Sequence, residues 1–184
     1  MIIKHFEISE KTLAKFDLYL FYGKNEGLQN EIIKHKLIIN FNGKIEKYDE
    51  TEFIQNYDDI VSSILNKSFF DNKKIFIISR TTEKSIKIIE NLKEKNLDEI
   101  KIIFKSGALE KKSKLRSLFE KEKNLALTAF YEDNARDLTN IAFEFLNKNN
   151  IKLSREAVNL LVNRASGERK NLKTELEKIY NYSL

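Results

Sequence analysis

Hydrophobic residues follow two interleaved rhythms up to Tyr131 and only one beyond it. In the first stretch, short apolar runs alternate with segments of helical period. The runs Leu18–Tyr22, Gly43–Tyr48, Lys74–Ser79, Lys101–Phe104 and Leu125–Tyr131 predict five strands. Most are continuous, as in Ile75-Phe76-Ile77-Ile78, which is the pattern of strands covered on both faces of a parallel sheet. Only Leu125–Tyr131 alternates in part. Between the runs, Phe53, Tyr57, Ile60, Val61, Ile64 and Leu65 share one helical face, with Asp49 and Glu52 offering a capping-box start. Ile86, Ile89 and Leu92 mark a helix that begins near Thr81-Thr82. Leu115, Leu118 and Phe119 mark a shorter one behind Ser113.

From Asn134 onward the pattern is helical only. Leu138, Ile141, Ala142, Phe145 and Leu146 form one apolar face. Ser154 caps a second helix bearing Ala157, Leu160, Leu161 and Ala165. Gly167 interrupts it, and Leu172, Leu176, Ile179 and Tyr180 mark a third. The linker Glu132-Asp133-Asn134 divides the chain into 1–132 and 133–184. Alternating β and α elements imply an α/β fold, a parallel five-stranded sheet with flanking helices, followed by a small three-helix domain. That is the layout of an AAA+ module, in which nucleotide sits between the two parts.

Composition narrows the chemistry. With 41% hydrophobic and 11% aromatic residues in 184, the chain can bury a core and is not disordered. The net charge of +5 favours a polyanionic neighbour, yet 28 acidic residues are interleaved with 33 basic ones, so it marks no nucleic-acid footprint by itself. The absence of cysteine excludes disulfides and thiolate chemistry, and two histidines far apart in sequence, His5 and His35, make a metal site or a histidine-based triad improbable. No apolar stretch approaches the roughly 20 residues of a membrane span, and no signal-peptide pattern is present. A cytoplasmic location is expected, without cofactor or metal.

The segment LYLFYGKNEGLQNE, Leu18 to Glu31, runs from a strand through a glycine turn into a helix, where an α/β nucleotide-binding domain carries its phosphate loop. A Walker A loop needs G-x-x-x-x-G-K-[ST], whose amides cradle phosphate, whose lysine neutralises it and whose hydroxyl holds magnesium. Here Gly23 is followed by Gly27, and Gly27 by Leu28-Gln29 in place of Lys-Ser. Lys24 stands too early to act as the loop lysine. The third strand should end in the acid pair that holds magnesium. It ends in Ser79-Arg80, a cation that opposes metal binding. Arg169, opening the last helix, stands where AAA+ modules keep a phosphate-sensing arginine; the preferred reading is a solvated arginine of an N-terminal turn. ATP hydrolysis is not expected.

Two further stretches carry candidate chemistry. Phe69-Phe70 lie between a helix and a buried strand, with Ser68 before them and Asp71-Asn72-Lys73-Lys74 after. One ring could plug the helix–strand corner of the core. Alternatively the pair is an apolar wedge for a partner's pocket, where two rings are worth on the order of 3 to 6 kcal/mol gross. Lys111, Lys112, Lys114 and Arg116, with Lys105 nearby, form the densest basic stretch, diluted by Glu110, Glu120 and Glu122. A solvated helix face is the plainer reading, and a DNA-binding module the alternative.

Taken in order, these residues resemble the delta subunit of the bacterial DNA polymerase III clamp loader. The resemblance rests on Leu20-Phe21-Tyr22-Gly23-Lys24-Asn25-Glu26-Gly27-Leu28, similar to the family's LYG-x-[DE]-x-x-L, and on Phe69-Phe70 before Ile75–Ile78. It continues through Ile102–Lys105, then Leu109-Glu110-Lys111-Lys112-Ser113-Lys114-Leu115, Gly167-Glu168-Arg169-Lys170-Asn171-Leu172 and Glu175–Ile179. It implies a subunit that neither binds nor hydrolyses ATP, with Gly23, Lys24, Gly27 and Arg169 as a degenerate nucleotide site. It also implies a wedge, Phe69 and Phe70 with Ile64 and Leu65 beside it, that binds and opens the sliding clamp (the beta subunit). Phe-Phe stands where Leu-Phe is commoner in the family. The implied setting is the DNA polymerase III holoenzyme, a nucleotidyltransferase in which this subunit catalyses nothing and meets DNA only indirectly. Other loader subunits would join through a collar domain, which is expected to be missing because the sequence stops at Leu184.

Overall fold

The structure, a computed structural model, describes residues 1–65 and 73–183. It separates into two units, Met1–Lys24 with Gln29–Phe130, and Asn25–Leu28 with Tyr131–Leu184. Asn25–Leu28 thus groups with the helical unit, which the sequence division at 132 does not include.

The first unit is built on a five-stranded parallel sheet of order β2-β3-β4-β1-β5. The strands are β1 (Leu18–Tyr22), β2 (Lys44–Asp49), β3 (Lys74–Ser79), β4 (Ile100–Ser106) and β5 (Leu125–Ala129). In β1, Leu20 pairs with Phe104 on one side and Leu127 on the other. Every β1 residue is buried, because successive side chains point into two covered faces.

Before the sheet comes α1 (Glu10–Leu13), and β1 leads to α2 (Glu26–Ile32), which widens into a π-helical turn over Ile33–Ile38. The face bearing Tyr19, Phe21, Ile77 and Ile103 holds Asn30 of α2, whose side-chain oxygen accepts from Lys105 Nζ at 2.7 Å. The opposite face is covered by α3 (Glu50–Gln55), α4 (Tyr57–Leu65), α5 (Ile86–Leu92) and α6 (Lys114–Lys121). There Leu18, Leu20, Phe76, Ile78, Ile102 and Phe104 pack with Phe53, Ile60, Ile64, Ile89, Leu92 and Phe119 in one core. The caps follow the sequence. Asp49 accepts from Thr51 N, Thr82 caps the turn leading into α5, and Ser113 caps α6.

Several features depart from the pattern reading. The helical face drawn from Phe53 to Leu65 is broken at Asn56, whose backbone and side-chain amides both donate to Glu52 O, at 3.0 and 3.1 Å. The backbone bond is the ordinary helical one; the interruption is in the backbone of Asn56 itself, which leaves helical geometry at φ −105° and ψ 26° while its side-chain amide adds a second bond to the same carbonyl. Strand β2 is an edge, with Lys44 and Lys47 exposed, so the two-sided burial expected of the runs does not extend to it; charge on an edge discourages further pairing. The fifth run stops at Ala129: Phe130 N makes the last rung of the ladder to Tyr22 O at 2.8 Å, and Tyr131 beyond it is 77% exposed. Beside β5, Met1–Ile3 add backbone bonds that no pattern announced: Ile3 N to Leu127 O at 2.8 Å and Leu127 N to Met1 O at 2.9 Å.

In the second unit, α7 (Ala135–Lys148), α8 (Arg155–Ala165) and α9 (Arg169–Ser183) enclose Leu138, Ala142, Leu146, Val158, Val162, Ala165, Leu172 and Leu176. Asn134 and Asp137 form a reciprocal capping box, and Ser154 accepts from Ala157 N at 3.2 Å. Helix α8 ends through Ser166 and Gly167, both in the left-handed region.

Among the glycines of the first unit, Gly23 is the one where a side chain would collide hardest. Its φ is +131°, and a Cβ there would lie 2.0 Å from the carbonyl oxygen of Phe130. Replacing Gly23 by alanine combines strained backbone with a clash against main chain, and a loss of about 3 kcal/mol or more is expected. A denaturant titration of the variant beside wild type measures it; a loss below about 1 kcal/mol contradicts the geometry.

Candidate functional site

In open α/β sheets ligands bind outside the carboxyl ends of the strands. In the first unit those ends are occupied by the chain's own groups. Gly23 N, at the start of the turn, donates to Gly107 O at 2.9 Å and faces Ser106 O at 3.3 Å. Gln29 is 2% exposed and its side-chain amide donates to Gly23 O and Ser106 O, at 3.2 and 3.4 Å. It therefore stands where a Walker loop has its hydroxyl, but closes the turn instead of opening it to magnesium. Thr81 N donates to Lys105 O at 2.8 Å, and Lys24 is exposed.

The end of β3 is organised by a carboxylate that the sequence reading missed. Glu50 is 6% exposed and accepts from Thr82 N, Thr82 Oγ1 and Ser85 Oγ, each at 2.7 Å. Three short hydrogen bonds satisfy the charge in place. The available signal was the pair Asp49-Glu50 after one strand matched with Thr81-Thr82 and Ser85 after the next. Arg80 pairs with Asp49 and is otherwise exposed. Its hydrogen bond holds the Asp49 carboxyl below the usual range.

Arg169 is not a solvated arginine of an N-terminal turn. In the second unit its guanidinium grips Asp133 as a fork, Nη2 to Oδ1 at 2.6 Å and Nε to Oδ2 at 2.8 Å. The side chains are 14% and 5% exposed. Asn25, 6% exposed, donates to the same Oδ2 at 2.9 Å. Gly27 belongs to this unit as well, close to the backbone of Lys170.

The basic stretch is partly used up. Arg116 pairs with Glu120 at 2.8 Å and lies 5.3 Å from the Tyr22 ring centroid, so it belongs to the fold. Lys111, Lys112 and Lys114 are exposed, with Lys112 3.0 Å from Glu110. The first amide of α6, Lys114 N, is already taken by Glu83.

Phe69 and Phe70 lie outside the described residues. Ile64 is 1% exposed in the core beneath α4, which corrects its expected place beside the wedge: the sheet takes its side chain, leaving nothing for a partner. Leu65 is the last residue of α4. At the amino ends of β1, β3 and β4 a groove of about 520 Å³ is lined by Leu37, Phe41 and Ile75 and by paired charges. Lys101 meets Asp17 at 2.7 Å and Lys73 meets Glu99 at 3.3 Å. Among the described residues no helix is long and apolar enough to cross a membrane, and no group of three or more His, Asp or Glu could hold a metal.

No protein-family profile and no curated protein matches the sequence. Solved structures do match the fold. The Bacillus subtilis DNA clamp loader delta protein (YqeN) superposes with a TM-score of 0.61 at 16% identity, over 97% of this chain and 57% of its own. The Thermotoga maritima RuvB Holliday junction branch migration motor gives 0.60 at 11%, over 96% and 59%. A replication initiator DnaA solved with AMPPCP and single-stranded DNA gives 0.55 at 16%, over 92% and 57%. The chain therefore spans between half and two thirds of the length of these proteins. Its fold is the AAA+-like arrangement they share, a parallel five-stranded sheet with flanking helices and a small helical region after it.

Proposed function

We propose that this chain acts in DNA replication as a clamp-loader subunit of the delta type, binding the sliding clamp through Phe69 and Phe70 and opening it without hydrolysing ATP. One observation carries the reading: a fold shared with a clamp loader delta protein, whose phosphate turn is closed by Gly107, Ser106 and Gln29. Breaking those bonds to admit a nucleotide would leave buried polar groups unmet, at about 1–3 kcal/mol each. ATP would be bound by sister subunits, and this chain would contribute mechanical work. Association with other clamp-loader subunits, membership of the DNA polymerase III holoenzyme and a cytoplasmic setting belong to the same proposal.

The mechanism follows from linkage. A wedge shifts a ring toward opening only by binding the open form better than the closed one. Two phenylalanines bring enough apolar area to dominate a small interface as its hot spot. Leu65, ending α4, and Lys74, opening β3, bracket the segment that carries them.

A second reading, a DNA-binding AAA+-like module, is favoured by the exposure of Lys111, Lys112 and Lys114. Salt separates the two. Phosphate contacts release counterions, so three lysines on duplex DNA should give a slope of log affinity against log salt near about −2.7. Clamp binding through apolar rings should change much less over the same range. A steep slope for DNA together with no affinity for the clamp would favour the second reading.

Replacing Phe69 and Phe70 together by alanine should weaken clamp binding by about a hundredfold or more, measured by titration against the clamp of the same source. A double variant that binds like wild type removes the wedge from the account.

A further inference from the structure

The helical unit includes a piece from more than a hundred residues upstream, Asn25–Leu28, and a buried ion pair explains why it belongs there. Both oxygens of Asp133 are engaged by Arg169, and Oδ2 also accepts from Asn25 Nδ2 at 2.9 Å. Asn25 Nδ2 in addition donates to Tyr131 O at 3.0 Å, and its Oδ1 accepts from Leu28 N at 3.0 Å. One side chain therefore ties the remote segment to the start of the helical unit and closes the segment's own turn. Gly27 allows the close approach, since a Cβ there would lie 3.3 Å from Lys170 N.

Charge dictates the rest. Arg169 is the first residue of the fifteen-residue α9, whose opening amides present a positive partial charge. A guanidinium only 14% exposed at that position demands an anion, and a buried charge deprived of its partner is strongly destabilising. The carboxylate that meets it comes from the linker before α7, and fork-on-carboxylate geometry makes this the strongest form such a contact takes.

We infer that Asp133 is a resident anion, which fills from within the chain the position an external phosphate or carboxylate would otherwise occupy on Arg169, and so makes Asn25–Leu28 a permanent part of the helical unit. The organisation of that unit then requires no bound anion. The inference stands on the ion pair and does not rest on the clamp-loader reading.

The test uses the full chain with Asp133→Ala, Arg169→Met and the double variant, and inorganic phosphate as the probe against chloride of equal ionic strength. In Asp133→Ala the vacated position should accept phosphate. The melting temperature should rise by about 3–5 °C at phosphate tenfold above its dissociation constant. Wild type, Arg169→Met and the double variant should show no phosphate-specific rise. Hydrogen exchange at Leu28 N, which reports the remote segment, should accelerate at least about tenfold in Asp133→Ala and be slowed again by phosphate. Should the alanine variant not fold, Asp133→Asn is put through the same comparison. A variant lacking Asp133 that ignores phosphate, a wild type that gains as much from it, or unchanged exchange at Leu28 overturns the inference.

Discussion

At the carboxyl ends of β1, β4 and β5 the backbone groups saturate one another. Gly23 N reaches Gly107 O, Phe130 N reaches Tyr22 O, and Gln29 spans Gly23 O and Ser106 O. Buried amides and carbonyls must find partners, and groups that have found them in the chain are not available to a ligand. The contrast with a Walker loop is therefore more than two missing side chains. The turn has been rebuilt so that it is stable as it stands, and the positive φ of Gly23 against Phe130 is what this rebuilding requires. Glu50, held by Thr82 and Ser85, gives the end of β3 the same character.

The helical unit repeats the principle with charge in place of backbone. An arginine that would need an external anion is given an internal one, Asp133, and Asn25 joins the pair. In both units, groups of the kind that hold phosphate are spent on structure. On the proposed reading, such a frame is suited to transmitting force between partners, since its packing does not wait on a ligand.

Much of the fold was legible because its determinants are local. Continuous apolar runs marked the buried strands, and Ser113 and Ser154 marked helix starts through the short-range bonds they make. What escaped depended on distant partners or on the backbone of a single residue. Asn56 leaves helical geometry between α3 and α4, β2 is solvated because it is an edge, and Met1–Ile3 attach to β5 from the far end of the sequence. The candidate site divides in the same way. The missing Lys-Ser after Gly27 could be read directly, whereas the capture of Arg169 by Asp133, 36 residues away, and the placing of Arg116 over the Tyr22 ring could not. Ile64 has a helical period that fits the core as well as a surface, and only packing told which.

The central claim is that the phosphate turn is closed by the protein's own hydrogen bonds. The most direct measurement is a titration of the isotopically labelled wild-type chain with magnesium and ATP, following the backbone amide of Gly23 and the side-chain amide of Gln29 by NMR. The account predicts that neither resonance moves beyond the small, non-saturating drift that salt alone produces. A saturable shift of both, with the same midpoint, would contradict it.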